Sequence, residues 1–401
     1  MIFLELQRNF EIKIPNYLRL DIKRNEFLLF YSRLFVTLLN LNGNKMSTEG
    51  LTKEGIELLS NLIRIPRTSR NETDAAQFLR RYMEKECNLP TQADGCNLWS
   101  VAPDYNPQLP TLLLNAHIDT VKPVSNWKRD PFTPQIEEGK LYGLGSNDDG
   151  ASLVSLLQVF RVLREEKRPY NLIYLASAEE EVSGKNGIEH VLPLLPHIDI
   201  ALVGEPTGMH PAIAEKGLMV LDVTAHGKAG HAARNEGDNA IYRAMKDIQW
   251  FQNYKWEKES ELLGPVKMSV TIINAGTQHN VIPDRCTFTV DVRSNELYSN
   301  EELYKEICQH VDSDVQARSF RLNSSRIELS HPLVQKIISL GRKPFGSPTL
   351  SDQALMPFPS LKMGPGQSMR SHTADEYIEI KEIEEAIGLY LSVLRHNDIT
   401  L

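Results

Sequence analysis

Residues 112–119 read Leu-Leu-Leu-Asn-Ala-His-Ile-Asp, and the fold is decided by how this stretch is read. A short apolar run bounded by polar segments predicts a strand over 112–116. His117 and Asp119 follow two residues apart, so the alternation of an extended chain points both side chains the same way. Two further runs have this character, Leu172-Ile-Tyr-Leu-Ala176 and Ile198-Asp-Ile-Ala-Leu-Val203. Helical spacing lies between them, near 150–166 and 185–194. Ahead of them a helix is predicted over 51–65, where Ile56, Leu59, Leu62 and Ile63 share a face, and another from Asp74 to about Met83. Buried strands alternating with helices predict an α/β unit, a mixed sheet with parallel members flanked by helices.

The pattern changes after Pro211. Strands are predicted at 219–224, 268–272, 286–292 and 314–320, with helices at 238–254 and 300–311. The order β-α-β-β-α-β fits a ferredoxin-like α+β module. Beyond 330 a helix, a loop and a last amphipathic helix follow, with Ile383, Ile387, Tyr390 and Leu394 on one stripe. The expected organisation is a unit of residues 46–212 and 319–401, interrupted by a smaller one of residues 213–318.

Composition narrows the classes. The chain has 401 residues, 41% of them hydrophobic, which is enough for a large core, and a net charge of −8. Neither that balance nor any basic stripe suits a nucleic-acid binder. Four scattered cysteines, none in a CxxC pair, are read as reduced thiols of a cytoplasmic protein. The apolar stretch Phe27 to Leu39 is interrupted by Arg33 and is short of the roughly 20 residues a membrane span needs. Residues 1–45 are therefore read as an extension ahead of a start at Met46, outside the fold and not in a membrane.

Five clusters carry chemistry. The first is His117 and Asp119. The second is Tyr142-Gly-Leu-Gly-Ser-Asn-Asp148-Asp149-Gly-Ala-Ser, which places two carboxylates at a helix entrance where capping would need one. The third is Glu179-Glu180-Glu181, delivered by an apolar strand, whose mutual repulsion a cation would offset. The fourth is Val203-Gly-Glu205-Pro-Thr207. The fifth is the glycine-bracketed loop from Gly364 and Gly366 to His372, Asp375 and Glu376. Four of these lie at strand ends or just beyond, where open α/β sheets bind ligands. Two imidazoles with a surplus of carboxylates suit a pair of divalent metal ions sharing a bridging carboxylate. Zinc comes first, with cobalt or manganese as alternatives.

In this order the clusters resemble the M20 metallopeptidases: acetylornithine deacetylases, succinyl-diaminopimelate desuccinylases, aminoacylases and carboxypeptidases. The resemblance covers roughly residues 50–400. It implies that Asp148 bridges two metals, that His117 and Glu205 serve one, and that Glu181 and His372 serve the other. Asp119 would orient His117, and Glu180 would be the general base, although the triple Glu also admits Glu179 and Glu180 in those two places. The family often has a lysine after the bridging aspartate motif; here Asp148-Asp-Gly-Ala stands instead, without loss of a ligand.

In the insert, Gly227-Lys-Ala-Gly230-His231-Ala resembles a lid element whose histidine reaches a neighbouring subunit's site and steadies the oxyanion. This implies a homodimer formed through the insert. Asn280 and Arg293, with Gly364 and Gly366, would bind substrate. By its residues alone Arg293 could also be a strand-edge ion pair, and His231 an exposed histidine. The compact insert, the GEPT stretch and Glu215-Lys-Gly-Leu resemble the deacetylase branch. This implies hydrolysis of a small N-acylated amino acid, N-acetylornithine or N-acetylcitrulline, in arginine biosynthesis. Desuccinylation, peptide cleavage and an inactive metal-bearing scaffold are the other readings.

Overall fold

The structure is a computed structural model that describes residues 47–234 and 236–395. The expectation for residues 1–45 lies outside the described residues. Two helices open the fold, α1 (Thr48–Ile63) and α2 (Thr73–Lys85), followed by β1 (Gln92–Asp94), β2 (Asn97–Val101) and β3 (Thr111–His117). Next come β4 (Gln135–Glu137), β5 (Lys140–Tyr142), α3 (Ala151–Leu163), β6 (Asn171–Ser177), α4 (Ile188–Val191), β7 (Ile200–Val203) and β8 (Ala212–Glu215). The insert holds β9 (Met219–His226), β10 (Gly230–His231), α5 (Ala240–Asn253), β11 (Lys267–Ala275), β12 (Val281–Ile282), β13 (Arg285–Arg293), α6 (Asn300–His310) and β14 (Asp314–Ala317). The chain closes with β15 (Ser325–Arg326), α7 (Pro332–Ser339), β16 (Phe345–Ser347), β17 (Ser360–Lys362), β18 (Tyr377–Glu379) and α8 (Ile380–Leu394).

A nine-stranded mixed sheet runs β1-β2-β6-β3-β7-β17-β8-β15, with β16 beside β8. Its middle strands β6, β3, β7 and β17 are mutually parallel. Alternation along β3 divides the core: Leu112 and Leu114 pack with α1, α3 and α8, while Leu113 faces Ile188 and Val191 of α4. Buried on both faces, β3, β6 and β7 read as continuous apolar runs, which made them visible in the sequence.

The insert is a separate four-stranded antiparallel sheet in the order β11-β13-β9-β14, with its own core against α5 and α6. This is the order a β-α-β-β-α-β module requires. The large sheet keeps the chain through Glu215, so the change of sheet falls at 216–218 on the way out and 318–324 on the return.

Three expectations shift. The helix predicted over 185–194 shrinks to the four residues of α4 and a 3₁₀ turn at Leu192–Leu194, because Pro193 has no N–H to continue it. The strand predicted to reach 320 stops at Ala317. Strands β1, β2, β4, β5, β8, β10, β12, β15, β16, β17 and β18 were not predicted. Most are three residues long or shorter and draw their stability from neighbours rather than from a pattern of their own. All four cysteines are free, and no described helix is long and apolar enough to cross a membrane.

Candidate active site

Parallel pairing sets the site. β3 ends at His117, β6 at Ser177, β7 at Val203 and β17 at Lys362, and these four adjacent strands point the same way. Their carboxyl ends share one edge of the sheet, so the loops leaving them converge. A fifth segment, Ser146–Gly150, enters from the start of α3 with a cis Asp148–Asp149 peptide. Neither aspartate caps the helix.

A cavity of about 180 Å³ opens there, and Asp148, Glu180, Glu181, Glu205 and His372 are among its lining residues. His117 is buried beside it, with Nε2 3.1 Å from Asp148 Oδ1 and 3.9 Å from Glu180 Oε2. The other oxygen of Asp148 lies 3.6 Å from His372 Nε2, which is 3.0 Å from Glu181 Oε2. One carboxylate thus stands between two imidazoles and offers each a different oxygen. His117, Asp148 and Glu181 each place a ligand atom within 4.8 Å of the others, and so do His117, Glu180 and Glu205.

The electrostatics follow from crowding in a low-dielectric edge. Burial pushes the Glu180 carboxyl well above the usual range, and Glu205, Asp352 and Glu181 push it further. Burial does the same to Glu205, with Asp148 and Asp149 adding to it. Burial alone would lower His117, but hydrogen bonds to Asp119 and Asp148 outweigh it and hold the imidazole well above its ordinary value. Burial alone would raise Asp148; His117 holds it below the usual range. His372 is pushed up to about 9, chiefly by its hydrogen bond to Glu181. Glu181 Oε1 is buried without a hydrogen-bond partner in the protein. Two imidazoles among several carboxylates, with a free buried oxygen, fit divalent cations as a donor set.

Supporting contacts come from Asp119, which was expected to orient His117, and from Arg67 and Glu376, whose roles were not predicted. The Asp119 carboxylate lies 3.5 Å from His117 Nδ1 and accepts from Ser69 Oγ (2.7 Å) and from the N–H groups of Glu180 and Glu181 (3.1 and 3.2 Å). It therefore holds the imidazole and the glutamate turn together. The buried Arg67 guanidinium donates to the carbonyls of Ile118 (2.5 Å) and Gly145 (2.9 Å), joining the first two clusters. The Glu376 carboxylate accepts from the N–H groups of Gly145 (3.0 Å), Asn147 and Asp148 (both 2.9 Å), which ties the His372 loop to the Asp148 segment. Glu376 stands four residues after His372 in a cluster the sequence had already marked, but its own role had no local signal.

The other expected residues are placed as follows. Glu179 turns away from the cavity: its carboxylate accepts from Asn186 Nδ2 (2.9 Å). Gly364 and Gly366 are buried and do not line the cavity. A Cβ on Gly364 would lie 2.5 Å from the Glu205 carbonyl, and one on Gly366 2.2 Å from Asn147 Oδ1, so close packing accounts for both glycines. His231 and Asn280 are brought together in the insert, where the Ala232 N–H donates to the Asn280 carbonyl (3.0 Å), and both are exposed. Arg293, at the far end of β13, makes a two-point ion pair with Asp291 (2.8 and 3.1 Å). None of these three lines the cavity.

A mixed α/β sheet that gathers two imidazoles and four carboxylates in and beside one cavity defines the class, a metal-dependent hydrolase. The chain belongs to peptidase family M20/M25/M40, whose model matches residues 113–396, and it is a hydrolase of amide bonds. It is 27% identical over 300 residues to a succinyl-diaminopimelate desuccinylase of Wolbachia pipientis wMel, covering 69% of this chain and 74% of that one. It is 28% identical over 310 residues to an acetylornithine deacetylase of Pectobacterium carotovorum, covering 71% and 80%. A tripeptidase structure from Staphylococcus aureus superposes with a TM-score of 0.69 at 20% identity, covering 86% of this chain and 98% of that one, and shares the fold.

Proposed function

We propose that the chain is a two-metal amidohydrolase that removes the acyl group from a small N-acylated amino acid, first N-acetylornithine or N-acetylcitrulline, in arginine biosynthesis in the cytoplasm. The observation that carries the two-metal reading is Asp148, one oxygen toward His117 and the other toward His372. In this reading His117 and Glu205 hold one cation, Glu181 and His372 the other, and Asp148 both. Zinc is the first choice, with cobalt or manganese as alternatives. Bound there, the cations supply polarisation of the acyl carbonyl and a water of lowered pKa.

Glu180 takes the proton of the attacking water and returns it to the amine nitrogen as the amide bond breaks. Its burial among carboxylates raises its affinity for the proton it takes from the water. Support for Glu180 and Glu181 over Glu179 and Glu180 comes from the turn of Glu179 onto Asn186. Asp119 orients His117. Asn280 and Arg293 bind the substrate carboxylate, for which Arg293 exchanges Asp291 for the ligand. His231 steadies the oxyanion from a neighbouring subunit in a homodimer built through the insert. The exposed second half of strand β11, with Ile272 and Ile273, supports that surface. Gly364 and Gly366 act on the substrate only through the backbone they shape.

The Pectobacterium relative's name supports the deacetylase reading. The name of the Wolbachia relative favours a second, removal of a succinyl group from a diaminopimelate derivative. The deciding experiment measures bound metal, then free amine released from N-acetylornithine, N-acetylcitrulline, N-succinyl-diaminopimelate and a dipeptide. The proposal expects about two metals per chain and the highest kcat/KM on an acetylated substrate. Metal binding without cleavage of any of the four would instead indicate an inactive scaffold.

A further inference from the structure

The return linker between the two sheets reaches the end of the turn that carries Glu180 and Glu181. The linkers lie side by side: Ser325 pairs with Glu215, and Ser324 Oγ donates to the Glu215 carbonyl (2.5 Å). Gly217 packs so closely that a Cβ there would stand 2.6 Å from the Ser324 nitrogen and 2.7 Å from the Leu322 carbonyl. The insert therefore cannot swing without moving residues 318–324.

Arg321 lies on that return linker. Its guanidinium donates to the Glu189 carboxylate (2.7 Å) in α4 and to the Ser183 carbonyl. Ser183 closes the turn that carries Glu180 and Glu181. It has φ near +43°, and its N–H donates to the Glu180 carbonyl (2.8 Å). The entrance of the same turn is held by the large-sheet unit, through Glu72 on the Glu179 N–H (3.1 Å) and Asp119 on the next two N–H groups. One end of the turn is thus held from the large-sheet unit, and the exit by an arginine on the linker that returns from the insert. A planar five-donor fork can hold a carboxylate and a carbonyl at once, which an ammonium does less well.

We propose that Arg321 is a positioning residue that couples the orientation of the insert to the geometry of the Glu180–Glu181 turn. The roles of those two glutamates rest on the proposed function; the coupling itself is a mechanical contact between linker and turn. Displacement of the insert withdraws the guanidinium, frees the Ser183 end and loosens both carboxylates. Docking of the insert restores them.

The test compares full-length wild type, Arg321→Ala and Arg321→Lys by three readouts. In Arg321→Ala the amides of Ser183 and Gly184 should exchange with solvent about 2- to 30-fold faster, the span of couplings of this kind. Amides of β3 and β6 should keep wild-type protection. Binding of zinc alone should weaken by a comparable factor. On whichever amide the wild type cleaves, kcat should fall with KM little changed, and Arg321→Lys should lie between. Wild-type exchange at Ser183 and Gly184 together with wild-type zinc binding overturns the proposal. So does a uniform loss of protection across β3 and β6 in both Arg321→Ala and Arg321→Lys, which marks an arginine that only supports the fold. The exchange and zinc measurements need no substrate. If none of the four amides is cleaved, the proposed function fails while Arg321 is still decided.

Discussion

Along the carboxyl edge of the nine-stranded sheet, charged side chains are buried and share partners; across the insert, Asp247 apart, most stand in water as pairs. Glu215 and Lys362 show the first pattern. Both are nearly inaccessible, with Nζ 3.2 Å from the carboxylate. Ser351 Oγ (2.7 Å) also binds Glu215, and the Thr349 carbonyl (3.0 Å) binds Lys362. Arg318 and Asp222 show the second, a two-point pair at 2.8 Å with each side chain about half exposed. Geometry is similar; surroundings are not. Removed from water, each ion depends on its partners and a lost partner is not replaced, whereas in water the solvent takes the place of either. The buried edge can therefore hold groups far from their ordinary protonation, which chemistry at that edge requires. The insert can exchange partners, as Arg293 must if it is to leave Asp291.

The largest effect is expected on the edge. Glu180→Gln should lower kcat by about 10²–10⁴ while leaving bound metal near the wild-type amount; steady-state kinetics with metal analysis reads both. Near-normal turnover would remove Glu180 from the proton transfer and erase the chemical side of the contrast.

Lys362→Met leaves Glu215 buried without its counter-ion and should destabilise the fold by about 3–5 kcal/mol in denaturant titration. A loss below about 1 kcal/mol would mean that this pair behaves as an exposed one does.

Metal uptake should depend on pH in a stated direction. His372 is held near 9 by its hydrogen bond to Glu181, so at neutral pH the metal-free imidazole carries a proton that a cation must displace. Apparent zinc affinity should climb with pH through about 9. Calorimetric titration in buffers of different ionisation enthalpy would show the proton released; a flat profile would detach His372 from the metal.

The smallest change belongs to the insert. Arg318→Ala should alter stability by less than about 1 kcal/mol, and less again at high salt. A larger loss would show that the insert's pairs act as a network and blur the distinction between the two regions.

Local pattern explains what was legible in advance. The three apolar runs became β3, β6 and β7 because strands buried on both faces need uninterrupted hydrophobic sequence. The clusters of His117, Asp148, Glu180, Glu181, Glu205 and His372 could be listed from the sequence because each follows such a run or a glycine turn. Less legible was anything set by a distant partner. Short β17 has no pattern of its own, yet its parallel pairing with β7 brings the Gly364–His372 loop to the edge. The tight packing at Gly364, against the Glu205 backbone, and at Gly366, against the Asn147 side chain, also had no local signal.

By itself, then, the sequence determined the alternating units, the insert and the acids and imidazoles available for chemistry, since periodicity and composition act over a few neighbouring residues. Tertiary structure alone decided which way each one faces. It turned Glu179 onto Asn186 and set Glu376 beneath Asp148, 228 positions away in the chain. It also laid Arg321 on the Ser183 carbonyl. A hydrogen bond needs its donor and acceptor within about 3 Å, and only the folded path of the whole backbone brings such remote groups that close.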